Sequence, residues 1–428
     1  MVRRLLEVGV GSDVAQRGRD ARCAMRGYEA DTIATWLTET LLPGWLARVY
    51  RPDRPAFAES VAPDATPIES DIRTTLVTAR LTHVFSHAHL IGVPGALDAA
   101  RHGMDFLWGR CRQPDGRFSY RCTGGGEPID ARSDLYDLAF VLFACGWFAR
   151  ASAEQIWLER AEELMGFIER CMSHPAGGFV EDTIGTLPRR QNPHMHLLEA
   201  CHAIAETSGD SLWLKRATAL VELMQERMLD RATGSLGEFF TQDWQAASGM
   251  PGQLREPGHH YEWTWLLHHH DRLTGGTGGQ VAAQLLYAFA ERHHGDGPAH
   301  LIVNEISRDG AILDGAALLW PQTEYPKALV ARMEFESDTD AAERLDPHLA
   351  LMFDRFVDPK TGLWHNRIDA AGTPVSAPVP ARVLYHLLLA LAEVVRVKRA
   401  IAAGQIRPSG PRTPKDNDLE VDQTVGTI

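Results

Sequence analysis

ARVLYHLLLALAEVVRVKRA, residues 381–400, is the last long amphipathic stretch of the 428-residue chain, and its reading decides the fold. Apolar residues recur in it at helical spacing, and they cover so much of the helix surface that one neighbour does not bury them. The same period fills TIATWLTETLLPGWLARVY (32–50), PHMHLLEACHAIAETSG (193–209) and DSLWLKRATALVELMQERML (210–229). A stack of helical hairpins that stays open ends in a repeat with a polar outer face. The apolar surface of 381–400 denies it that capping role and favours a ring that closes on itself over an open solenoid.

Working back from this helix, short Gly-containing loops with aromatic or β-prone residues recur: PDGRFSY at Gly116, AGGFVEDT at Gly178, GSLGEFF at Gly237, DGAILDG at Gly310 and TGLWHNRI at Gly362. They lie 62, 59, 73 and 52 residues apart, a spacing that fits one helical hairpin per unit. Six such units predict an all-α (α/α)6 barrel, with inner helices converging on a pocket and the loops gathered at its mouth. The expected organisation is a poorly structured extension over 1–28, one barrel domain over 29–402 and a polar, Pro- and Gly-rich tail over 403–428.

Composition excludes several function classes. With 43 Lys and Arg against 56 Asp and Glu, the net charge is −13 and no basic stripe marks a nucleic-acid partner. No apolar run approaches the roughly 20 residues of a membrane helix, and the positive N-terminus lacks the long apolar stretch and cleavage site of a signal peptide. A cytoplasmic location is therefore expected. Cys23, Cys111, Cys122, Cys145, Cys171 and Cys201 form no CxxC pair and read as free thiols, several of them buried. The 19 histidines show neither HExxH nor a paired zinc spacing. GxGxxG, Walker and GxSxG motifs are missing too, so no metal and no cofactor is expected.

Against that background a few polar residues stand out. In RRQNPHMHLLEA, Asn192 before Pro193 reads as an N-cap, and His196, four positions on, shares its face. In EPGHHYEWTWLLHHH, His259 falls near a helix N-terminus, which depresses an imidazole pKa. Glu262, three positions on, is placed to orient that ring. His260 and His268–His270 face elsewhere and read as surface or packing groups. His386 is the one imidazole or carboxylate between Arg382 and Glu393 in an apolar helix; burial there makes either a satisfied core residue or a dry base of low pKa. Arg80, inward in LVTARLTHVF, needs an anion or several acceptors. Tyr136, and Trp320 with Gln322 and Glu324, supply the aromatic face and hydrogen-bonding groups a sugar ring uses.

Taken together, TAR around Arg80, DLYDLAFVLFA around Tyr136, NPHMHLLEA, EPGHHYEW, WPQTE and PARVLYHLLLALAE resemble the N-acylglucosamine 2-epimerase superfamily over about residues 30–400. That superfamily includes D-mannose isomerases and cellobiose 2-epimerases. The resemblance implies an (α/α)6 barrel, no metal, a monosaccharide substrate and two catalytic histidines at His259 and His386. It further implies that Glu262 polarises His259, that Arg80 holds the developing oxyanion, and that Tyr136, Asn192, His196, Trp320, Gln322 and Glu324 bind substrate. The blocks look most like the mannose isomerase branch, so interconversion of D-mannose and D-fructose is expected. A 2-epimerase and a non-catalytic sugar-binding toroid remain as alternatives, and a homodimer is compatible with the reading.

Overall fold

The computed structural model describes residues 27–406. The expected N-terminal extension and C-terminal tail, and Cys23 with them, fall almost wholly outside the described residues. Apart from the single turn Met250–Gln253, the α-helices in chain order are α1 Ala30–Trp36, α2 Leu42–Val49, α3 Thr75–Leu90, α4 Ala96–Phe106, α5 Leu135–Ser152, α6 Ile156–Cys171, α7 Asn192–Ser208, α8 Ser211–Leu223, α9 Pro257–Thr274, α10 Gln280–Glu291, α11 Leu319–Phe335, α12 Thr339–Arg355 and α13 Leu384–Ala402. A π turn, Leu37–Leu41, joins α1 to α2 where Pro43 removes an N–H donor. Side chains open several helices: Thr74 accepts from the Val77 amide, Asp134 from Tyr136, Asp210 from Leu212, and Asp338 from Asp340 and Ala341. Left-handed Gly209 and Gly275 end α7 and α9, so each inner helix turns into its outer partner.

The odd-numbered helices from α3 onward form the inner ring, and the even-numbered ones cover it. Each inner helix packs on the next, and α13 packs on α3 as well as on α11. The chain is therefore the closed (α/α)6 barrel that its last helix predicted. α5, with 18 residues of mean hydropathy 1.2, is among the described residues the one helix long and apolar enough to cross a membrane, and most of it is buried inside the ring.

Inner helices are apolar nearly all round because they touch both the covering helices and one another. Pro326 lies inside α11 and frees the Gln322 carbonyl four residues earlier. His348 of α12 takes up that carbonyl through Nε2, 2.9 Å away. Cys111, Cys122, Cys145 and Cys201 are buried free thiols, as expected, and Cys171 is exposed.

Short antiparallel pairings belt the N-terminal end of the ring. Ile72–Thr74, entering α3, pairs with Arg121–Thr123, and Asp134, entering α5, bridges to Asp182. Arg189–Arg190, entering α7, pairs with Phe239–Phe240, and Leu254–Arg255, entering α9, pairs with Glu305–Ser307. Ala317–Leu318, entering α11, pairs with Arg367–Ile368. Val379–Pro380, entering α13, pairs with Ser60–Val61, which precedes α3. The belt closes the circle a second time. Gly116, Gly178, Gly310 and Gly362 take positive φ in its turns, whereas Gly237 does not; Gly234 is the turn residue of that loop.

Candidate active site

Because the inner helices all begin at the belted end, their first turns point polar side chains at one place. Arg80 comes from α3, Tyr136 from α5, Asn192 and His196 from α7, His259 and Glu262 from α9, Trp320 and Glu324 from α11, and His386 from α13. The indole of Trp320 lies between the two histidines, with ring centroids 4.8 Å from His259 and 5.8 Å from His386. Gly258 makes this possible, since a Cβ there would stand 2.5 Å from the Trp320 ring. Tyr136 and His196 are ring neighbours at 5.1 Å.

Three histidines share one design. Nδ1 of His386 lies 2.8 Å from Glu324 Oε1, Nδ1 of His259 lies 3.0 Å from Glu238 Oε2, and Nδ1 of His196 lies 3.0 Å from Glu199 Oε2. A carboxylate on Nδ1 fixes the proton there and leaves Nε2 to act. Nε2 of all three has no protein partner among the described residues, and none is among the atoms sealed from solvent.

Charge separates them. Burial pushes the His386 imidazole down to about 4, with Arg80 and Lys327 adding to the shift and Glu324 only partly opposing it. Burial also carries His196 to about 4 against the pull of Glu199. Burial acts the same way on His259, but the charges of Glu238 and Glu256, the latter 3.7 Å away, overcome it and push the ring up to about 10. One imidazole is thus neutral at pH 7 and the other is a cation. This corrects the reading of His259: the helix N-terminus is there, but two carboxylates outweigh it.

Other expectations change as well. Glu262 does not hold His259, whose Nδ1 is occupied by Glu238. Its carboxyl turns toward the barrel axis, has no hydrogen bond among the described residues, and is held well above the usual carboxylate range by burial and by Glu324. Asn192 does not cap α7, because the helix already includes it and Gln191 precedes; its Oδ1 is buried and unpaired. Gln322 is turned away from the site, since its Oε1 accepts from the Ile302 amide and its Nε2 donates to the carbonyls of Ile302 and Leu318. Glu324 stands behind His386 rather than open to a substrate. His260, His268, His269 and His270 are all buried packing groups, none of them on the surface.

Arg80 finds acceptors instead of an anion. Nη1 donates to the Arg382 carbonyl at 3.2 Å, Nη2 to the Tyr136 hydroxyl at 2.6 Å, and the guanidinium stacks 4.2 Å from the Phe140 ring centre. Uncompensated positive charge is thereby held at the pocket wall. The crowded stretch 189–196 sorts by direction. Arg189 staples loops through the Gly177, Phe179 and Gln242 carbonyls, Arg190 binds Glu181 and Asp134, and the His194 ring accepts the Phe179 amide.

Glu238 and Glu199 escaped the sequence reading. Glu238 is fixed by Gln191, whose Nε2 donates to Oε2 at 3.0 Å and whose Oε1 accepts from Trp263 at 2.8 Å. His260 supports the same loop by accepting the Leu236 amide. A signal was present: Glu181 and Glu238 each lie four residues after a positive-φ turn glycine, Gly177 and Gly234, and both are buried. Glu199 also accepts from the Tyr385 hydroxyl.

Six imidazoles, the half-buried one of His87 and the buried ones of His194, His196, His260, His348 and His386, are carried by desolvation to about 3 or 4. A histidine whose folded pKa lies below its unfolded value of about 6.5 binds fewer protons when folded, so stability falls as pH drops from 6.5 toward the folded pKa. Each costs about 1.4 kcal/mol per pH unit in that window. Thermal melts from pH 8 to 5 are expected to rise by a few degrees down to about 6.5, as His259 with its raised pKa takes up its proton, and then to fall by roughly 10 °C per unit; a profile that does not fall between 6.5 and 5 would show that these rings are not buried neutral.

Residues 57–390 match the family described as N-acylglucosamine 2-epimerase (GlcNAc 2-epimerase). A protein named mannose-6-phosphate isomerase from Rhizobium meliloti (strain 1021) is 33% identical over 381 residues, covering 86% of this chain and 96% of the relative. A D-mannose isomerase from Thermobifida fusca is 28% identical over 338 residues, covering 72% and 79%. Among solved structures, cellobiose 2-epimerase from Spirochaeta thermophila DSM 6192 superposes with a TM-score of 0.77 at 23% identity, covering 91% of this chain and all of that one.

Proposed function

The chain belongs to the N-acylglucosamine 2-epimerase family and is a sugar isomerase or epimerase; from that premise we propose that it is an aldose-ketose isomerase that interconverts D-mannose and D-fructose. The supporting observation is the different surroundings of the two histidines that flank Trp320: His386 meets Glu324, which Lys327 also engages, whereas His259 meets both Glu238 and Glu256, so that burial favours a neutral His386 and the two carboxylates a charged His259. Isomerisation needs one base that lifts the proton from C2 and returns it to C1, with acids that stabilise the enediolate between. His386, neutral and with Nε2 open, is the base. His259, a cation, opens the sugar ring by protonating its oxygen, regains its charge by taking up the proton that leaves the C1 hydroxyl, and then faces the developing oxyanion together with Arg80. Epimerisation needs a second neutral base on the opposite face of C2, and an imidazolium is a poor one. Tyr136, Asn192, His196 and Trp320 position the hydroxyls.

The most similar relative quoted above carries a phosphate in the name of its substrate, and one feature favours a phosphorylated sugar as the second reading. Arg382, exposed at the start of the turn that leads into α13, has no side-chain hydrogen bond or ion pair among the described residues, and its charge reaches Tyr136. Proton NMR in deuterated water with a chelator, run in parallel on mannose and mannose 6-phosphate, separates the readings. Fructose with deuterium at C1, formed from free mannose, is the expected result. Turnover of the ester alone would move the assignment to the phosphorylated sugar, glucose alone would make the protein a 2-epimerase, and no exchange would leave a sugar-binding toroid.

A further inference from the structure

Directly behind His386 lies a buried cation that the reaction scheme does not use. Lys327, on α11 one turn after Glu324, is completely buried, with Nζ 2.7 Å from Glu324 Oε2, 3.9 Å from Glu262 Oε1 and 4.5 Å from the centre of the Trp265 ring. Burying an ammonium costs several kcal/mol unless it is paired, so its place among acids calls for an account. Donor atoms of Glu262, Glu324 and His386 lie within 4.8 Å of one another, a spacing that suits a divalent ion, but the positive charge these carboxylates surround is the lysine's own.

We propose that Lys327 is a positioning residue, fixing Glu324 as a carboxylate against Nδ1 of His386 so that Nε2 stays an open base. The inference rests on the reading of His386 as that base. The groups facing the pair are Arg80 from α3, His196 and Glu199 from α7, Glu262 from α9 and Tyr385 from α13, beside Lys327 itself. Three buried acids, Glu199, Glu262 and Glu324, thus share one lysine. Like charges so close do not all ionise; Glu199 is held low by His196, and Lys327 decides between the other two by touching Glu324 rather than Glu262. Glu324 is accordingly held at about 2 by Lys327 and His386 against the effect of burial, while burial and the charge of Glu324 hold Glu262 well above the usual carboxylate range.

Without the ammonium, the Glu324 and His386 pair takes up a proton at higher pH. Whether that proton rests on the carboxyl or on Nε2, the base is lost, and the two sites titrate as one. A lysine that serves only to fill space predicts no such change.

The test compares wild type with Lys327→Met, with Lys327→Gln as a smaller perturbation in case the first does not fold, with Glu324→Gln, and with the double variant. At pH 7 the lysine variants are expected to lose at least 30-fold in kcat with KM within threefold, and to recover activity as pH is raised toward 9. The double variant should be no worse than Glu324→Gln alone within threefold, because the lysine acts through the glutamate. Imidazole NMR of histidine-labelled protein reads the same event without substrate: the His386 signal, assigned with His386→Ala, should titrate at least one pH unit higher in the lysine variants. Losses that multiply in the double variant, or a His386 titration that does not move, overturn the proposal. Absence of sugar turnover in wild type would instead remove the reading of His386 as the base, and the NMR titration would still decide whether Lys327 sets the ionisation of the pair.

Discussion

His386→Ala is expected to abolish hydrogen exchange at C2, lowering the rate by at least 10³-fold, within the range a positioned general base supplies. The barrel should survive the substitution. Among the described residues the His386 side chain makes one hydrogen bond, to Glu324, and that carboxylate keeps Lys327 as its partner. The ring is also near the pocket, not in the packed layer between inner and outer helices, so the cavity left opens to solvent. The checking measurement is deuterium incorporation into mannose, alongside circular dichroism and a melting curve at pH 7.5. Normal turnover by a folded His386→Ala protein would remove the assignment at the centre of the mechanism.

Glu238→Gln should produce the second largest effect, and its sign follows from the charge of His259. The folded imidazole is pushed up to about 10 because carboxylates at 3.0 and 3.7 Å outweigh burial. A raised histidine pKa means that the cation is present throughout the neutral range and is lost as pH rises through 10. It also means that its contribution to stability is full below about 6.5 and disappears as pH climbs to 10. Replacing Glu238 by its uncharged isostere removes the nearer charge and leaves burial to dominate. The alkaline limb of kcat/KM should move down by two units or more, and activity at pH 8 should fall roughly 100-fold, an order of magnitude typical for loss of a positioned acid. Activity should recover partly as pH is lowered toward 6.5. An unmoved alkaline limb would show that His259 does not act as an acid, or that Glu256 alone holds its proton.

The architecture was legible because closure leaves a mark on composition. Residues 381–400 are apolar on more sides than a terminal hairpin tolerates, and α13 does pack on α3 and α11. Most of the candidate site was legible for a similar reason: Arg80, Tyr136, His196, His259, Trp320 and His386 are polar or aromatic groups at the first turns of otherwise apolar helices, and the structure brings them to one end of the ring. The pairing of those groups was hidden. Which carboxylate meets which imidazole depends on loops from the neighbouring hairpin, so Glu238, 21 positions before His259, takes the place expected of Glu262. Spacing along one helix ranks partners by face and says nothing about a side chain arriving from another element. Gln322 shows the converse limit, because it sits in the right turn of α11 and yet its carboxamide is taken up by the backbone of Ile302 and Leu318.

The belt of short strands has a consequence for how the molecule comes into being. Val379–Pro380 hydrogen-bonds to Ser60–Val61, segments some 320 residues apart, and the helix that follows carries the proposed base. A pairing of that separation forms late, because loop-closure entropy must be met before the contact stabilises anything. While a ribosome is still adding the middle hairpins, the growing chain is an open arc with its inner face wet and its charged groups unpartnered. Only when the last twenty residues of helix emerge does the arc shut, and the same event that completes the hydrophobic ring delivers His386 to the sugar pocket. A product truncated before α13 therefore has neither a closed ring nor the proposed base, so closure of the fold and assembly of the proposed site become one step.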